Sequence, residues 1–122
     1  MALADRTWAH MSAGFLLMGG WAMFANRSHP MPAPLIAGLL QGVLTATITL
    51  GLKRMQEALI ARLPGWPGLV APPLATLAIS FTTLFTIHSL ARTPEVLATL
   101  AVPTTIATLY AIAYTARLKG RS

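Results

Sequence analysis

Four long apolar runs alternate with short polar connections along the chain, at residues 8–25, 34–52, 72–91 and 94–116. A helix needs about 20 predominantly apolar residues to cross a hydrocarbon core of roughly 30 Å. Each run is near that minimum, so the pattern predicts four transmembrane helices forming two hairpins, with little tilt required. The whole chain, 1–122, reads as a single all-α integral membrane domain.

Polar and helix-breaking residues punctuate the runs. Asp5 can cap the first helix, and Pro34 and Pro72 suit a first helical position, where a missing N–H loses no intrahelical bond. Thr93-Pro94-Glu95 reads as an N-cap, a first-turn proline and an acid on the helix dipole. The second helix is expected to continue to residue 63, because Lys53 and Glu57 stand four apart and Met55, Leu59 and Leu63 share a face. That extension is expected to lie along the lipid headgroups. It stops at Pro64-Gly65-Trp66-Pro67-Gly68, a turn whose tryptophan suits the membrane interface. A competing account of the first run is a secretory signal peptide, since Arg6 precedes it and Ala22 and Ala25 stand near its end; cleavage there would leave three helices.

Composition narrows the class. Hydrophobic residues make up 55% of the chain and charged residues 10%. A soluble domain carries roughly a quarter charged residues, so a soluble fold is set aside. The net charge of +6 raises nucleic acid as a partner, but the basic residues flank apolar runs and form no stripe interleaved with aromatics. Membrane lipids with anionic headgroups are the better match, and no nucleic acid is expected. The absence of cysteine excludes disulfides, thiolate metal sites and a cysteine nucleophile. Seven arginines against two lysines, among many alanines, fit a GC-rich bacterial genome.

The positions of the charges set an orientation. With four crossings, both termini and the middle connection share one side. That side holds Arg6, Lys53, Arg54, Arg62, Arg117, Lys119 and Arg121, against Arg27 and Arg92 on the other. The bias predicts an N-in/C-in protein of the bacterial inner membrane, both termini cytoplasmic and both hairpin loops periplasmic. The halves share one plan, which reads as a parallel repeat of two hairpins or as the form any two membrane hairpins take.

Candidate chemistry gathers on the minority side. One loop holds Asn26, Arg27, Ser28 and His29; around the other stand His88, Ser89, Arg92, Thr93 and Glu95. His88 and Arg92 are four apart and are expected to share a helix face. Two arginines and two histidines around a shallow outer pocket can hold a phosphate or carboxylate, arginine as a fixed fork and histidine as a titratable donor. Each has a structural explanation too: Arg27 and Arg92 as snorkelling helix ends, Glu95 as a cap, His29 as a solvated loop residue. Within the second run Gln41 is followed by Thr45 and Thr49, a polar stripe that should face other helices or a wet cavity. Gly38 and Gly42 form a small-xxx-small pattern extended by Ala46, for packing inside the monomer or between subunits. Threonine hydroxyls in the last two runs are expected to bond back to their own helices. Pro103 should kink the fourth helix, with Thr104 and Thr105 near the freed backbone. Tyr110, Tyr114 and Arg117 share a face suited to interfacial anchoring.

Enzyme signatures are missing: no paired carboxylates inside the membrane runs, no His-x-x-x-His, no glycine-rich phosphate loop. No catalytic residue, metal or cofactor is assigned. The length and four-helix plan resemble those of the small multidrug-resistance transporters and the small fluoride channels, both of which work as dimers. The first run lacks the embedded acid of the former, and the glycine-rich stretches of the latter are absent, so no family is assigned. Three functions remain open: binding or translocation of an anionic solute or lipid headgroup through Arg27, His29, His88, Arg92, Glu95 and Gln41; a non-catalytic subunit of a larger membrane complex, packing through Gly38 and Gly42; and a headgroup-modifying enzyme. Homo-oligomerisation or attachment to a partner is expected of the bundle, because four minimal helices enclose little space.

Overall fold

The computed structural model describes residues 3–120, apart from the side chains of residues 3–5 and 7, so the expected cap of Asp5 and the basic Arg121 lie outside the described residues. The chain forms α1 (Leu3–Ala25), α2 (Ala33–Arg62), α3 (Pro67–Leu90) and α4 (Val96–Gly120). Three of them, α2, α3 and α4, are long and apolar enough to cross a membrane. The 23-residue α1 is the shortest, and Arg6, His10 and Ser12 dilute its first half.

The inside of the bundle is more polar than its outside. Among the described residues ten polar side chains are buried against eight apolar ones, while twenty-five large hydrophobic side chains are exposed. α3 shows the pattern most plainly: Gly68, Pro72, Thr76, Ser80, Leu84 and His88, every fourth residue, face inward. Leu77, Phe81, Phe85 and Leu90 face outward. Water would drive those apolar groups in; a hydrocarbon solvent leaves them out and turns the polar groups toward each other.

The α1–α2 hairpin is joined through glycine. A Cβ on Gly19 would stand 2.8 Å from the Gly38 carbonyl oxygen, and one on Gly42 would meet the Phe15 ring at 3.0 Å. The small-xxx-small pattern is therefore used inside the chain. α2 also packs on α3 and α4, whereas α1 and α3 make no close approach. The loops at 26–32 and 91–95 meet at one end of the bundle, the hairpin end, through His29 and Glu95. The turn at 63–66 makes the opposite, terminal end.

Several element ends differ from the sequence expectation. α3 starts at Pro67, with Pro72 and Pro73 carried inside it. The extension of α2 packs on the bundle: Gln56 Nε2 donates to Thr76 Oγ1 over 2.9 Å, and Lys119 Nζ donates to the Leu63 carbonyl over 2.8 Å, docking it on α3 and α4. Tyr114, expected as an interfacial anchor, donates its hydroxyl to Glu57 Oε2 over 2.6 Å. Thr93 does not cap α4; Asn26 of the other hairpin accepts from the Glu95 N–H at 2.9 Å instead.

Candidate functional site

Asn26, fully buried, ties the last turn of α1 to the first of α4. Its Nδ2 donates to the Ala22 carbonyl at 2.8 Å and to Thr99 Oγ1 at 2.7 Å. Trp21 Nε1 adds a bond to the Ala98 carbonyl at 2.9 Å. Outside this seam, His29 Nε2 and Glu95 Oε2 pair at 2.7 Å, both partly exposed.

Beneath it lies a second polar layer. His88, fully buried, has Nδ1 at 2.7 Å from Thr93 Oγ1 and Nε2 at 2.8 Å from Gln41 Oε1. The Gln41 amide in turn donates to Thr45 Oγ1 at 2.9 Å. With that amide orientation the His88 Nε2 carries the proton, and a neutral ring accepts from the Thr93 hydroxyl at Nδ1. All the hydrogen-bonding groups of the imidazole are then satisfied without water. Leu44, Leu84 and Leu100, one turn further in, form the apolar layer that backs this network.

The arginines stand apart from both layers. Arg27 donates from Nη1 to the Phe24 carbonyl at 2.9 Å and lies over the Phe24 ring, 3.9 Å from its centroid. Arg92 is exposed and has a φ of 58°, so it does not continue the His88 face. The Thr93 N–H bonds to the His88 carbonyl and the Arg92 N–H to the Ser89 carbonyl, the double bond pattern that closes a helix around a left-handed residue. Glycine is the usual residue there; arginine takes the position at a backbone cost. The structure thus brings His29 to Glu95 and His88 to Gln41, and leaves Arg27 and Arg92 on the exposed rim. No shared pocket of two arginines and two histidines forms among the described residues.

Toward the terminal end the helices leave a partly open cavity of about 450 Å³, lined from all four. Gln41 and Thr45 stand at its hairpin side; Lys53, Gln56 and His10 line it nearer the terminal end, and no carboxylate lines it among the described residues. Two lining atoms, the Ser80 hydroxyl and Gln56 Oε1, are buried and have no hydrogen-bond partner. Such groups are rare in folded chains, because each unsatisfied buried polar group costs about 1–3 kcal/mol. Pro103 lies on the cavity wall. The neighbouring Thr104 hydroxyl, expected near the backbone that Pro103 frees, is buried and unbonded.

Sequence reasoning singled out Gln41 and His88, which the structure joins by a hydrogen bond, but gave no part to Trp21, Gln56, Thr76 and Ser80. A signal existed for the last two: Thr76, Ser80, Leu84 and His88 recur every four residues in a run that is otherwise apolar all round. Compared with protein-family models, curated proteins and solved structures, the chain matches none.

Proposed function

We propose that the chain crosses a bacterial inner membrane four times, both termini cytoplasmic, and binds or translocates an anionic solute or lipid headgroup. The apolar exterior and the seven-to-two distribution of basic residues support that placement. The cavity, not the rim, is the binding locus in this reading, and its opening side is cytoplasmic. Arg27 and Arg92 attract anions to the periplasmic rim, while Asn26, the His29–Glu95 pair and the Gln41–His88 layer close the route between rim and cavity.

One observation carries the proposal: the cavity is lined by Lys53 and His10 and, among the described residues, by no carboxylate, and two of its wall residues, Ser80 and Gln56, hold buried polar atoms that lack partners. An anion in such a site is stabilised by the Lys53 ammonium at low dielectric and can accept from the Ser80 hydroxyl, while Gln56 Oε1, an acceptor, suits a hydroxyl that the solute carries. The competing subunit reading loses the surface it was given, because Gly38 and Gly42 pack against α1.

Purified protein reconstituted in zwitterionic vesicles provides the test. Radiolabelled glycerol 3-phosphate and fluorescent phosphatidylglycerol report solute flux and headgroup movement respectively. Binding or movement of either that weakens in Lys53→Gln supports the proposal. Protein that neither binds nor moves any anion, in vesicles or detergent, overturns it.

A further inference from the structure

Resting on that reading, we infer that the occupant of the cavity is a lysophospholipid-type amphiphile: one acyl chain, one anionic phosphate and a free hydroxyl, received from the leaflet at the terminal end through the gap between α1 and α4.

Four observations point to this class. First, the lining is mostly apolar, with Leu17, Met18, Ile48, Leu84 and Ile106 contributing, which suits hydrocarbon and not a fully hydrated ion. Second, the polar groups of the wall have complementary demands: Gln56 Oε1 and the Ser80 hydroxyl are buried without a partner, and the Lys53 ammonium lies over the Tyr114 ring, 5.9 Å from its centroid. Gln56 Oε1 accepts only, so it calls for a donor such as a hydroxyl; the Ser80 hydroxyl can donate to an ester or phosphate oxygen; Lys53 calls for the negative charge. An inorganic phosphate alone leaves the apolar wall uncovered, and a fatty acid brings no hydroxyl for Gln56.

Third, about 450 Å³ falls in the lower part of the range for small-ligand cavities, space for one chain and not two. Fourth, among the described residues the hydrogen bonds that join the first helix to the last lie where α1 ends and α4 begins: Trp21 to Ala98, and Asn26 to Thr99 and Glu95. Further along, His10 and Met11 of α1 and Ile106 and Tyr110 of α4 line the cavity instead. A pair of helices clasped at one end and separated by a cavity at the other opens sideways into lipid. An amphiphile already in the leaflet reaches the site without its chain crossing water.

The experiment is equilibrium binding of tritiated lysophosphatidylglycerol to the full chain in nanodiscs of zwitterionic lipid. Saturable binding is expected, displaced by unlabelled lysophosphatidylglycerol but not by glycerol 3-phosphate or inorganic phosphate. Lys53→Gln should weaken it roughly tenfold, the loss of one charge-assisted contact. Ala107→Phe, on the cavity wall, should abolish it; Ile106→Trp serves the same purpose if that variant does not fold. Displacement by glycerol 3-phosphate as effective as by the intact lipid overturns the amphiphile and leaves the anion site standing. Binding unchanged in Lys53→Gln and in both wall variants overturns the placement in this cavity. No saturable binding of lipid, glycerol 3-phosphate or phosphate removes this inference and the anion reading together.

Discussion

Asn26 donates to Thr99 across 2.7 Å, and this bond between the end of one hairpin and the start of the other holds the hairpin end shut. The same amide caps α4 through the Glu95 N–H, so one side chain does the work of a local N-cap from a distant part of the chain. Replacing it with alanine leaves Thr99 and the Glu95 N–H without these partners. Asn26→Ala should lower stability by about 1–3 kcal/mol in reversible detergent unfolding. If the closure blocks a route, the same variant should also make reconstituted vesicles leakier to the transported anion. A variant as stable and as tight as the parent would show that the seam bears no load.

The Gln41–His88 pair invites a double-mutant cycle. His88→Leu strands the Gln41 carbonyl oxygen and the Thr93 hydroxyl, and Gln41→Leu strands His88 Nε2. Each single change should destabilise by about 1–3 kcal/mol, while the double change should cost clearly less than the sum, because it removes both partners together. Strict additivity of the two costs would argue that the pair does not interact.

Gly38 is predicted to matter within one chain. Its Cβ would stand 3.0 Å from the Gly19 carbonyl oxygen and would also crowd Met23, and the backbone side of that contact cannot rotate away. Gly38→Val should therefore destabilise the monomer by about 1–3 kcal/mol, the usual penalty for overpacking. Unfolding and oligomer size, measured on the same sample, separate this from a subunit contact: a variant that changes only the oligomer size contradicts it.

Arg92 offers a change in the opposite direction. Its φ of 58° places a bulky residue in the left-handed region, at a cost of roughly 1–2 kcal/mol that glycine does not carry. Arg92→Gly should raise the unfolding midpoint. Arg92→Gln, which keeps the backbone cost and removes only the charge, should leave the midpoint near the parent value and, under the proposed anion-binding function, slow anion capture from the hairpin side. A loss of stability in the glycine variant would assign the side chain a structural role.

How much of this was legible in the sequence follows from the range of each signal. The apolar runs, Pro67-Gly68 after Trp66 and the basic clusters act within a helical turn or through the solvent, so helix number and hairpin plan can be read residue by residue. The start of α3 was misplaced because Pro72 looked like a first-turn proline; an earlier proline, Pro67, holds that role. Asn26 looked like one more loop residue because nothing near it in sequence reveals that α4 needs a cap from elsewhere.

The chain by itself determined that its helices would be apolar nearly all round and that a few polar residues, Gln41, His88 and the threonines among them, must turn inward. It did not determine which of them would meet. Helix packing decided that Gln41 faces His88, that Gln56 faces Thr76, and that Ser80 Oγ and Gln56 Oε1 are buried in the cavity wall without partners. The reason is physical: in a hydrocarbon solvent the inward turn is enforced for every polar side chain, but its partner is set by how closely neighbouring helices approach, as at Gly19 and Gly38, and that distance exists only in the assembled bundle.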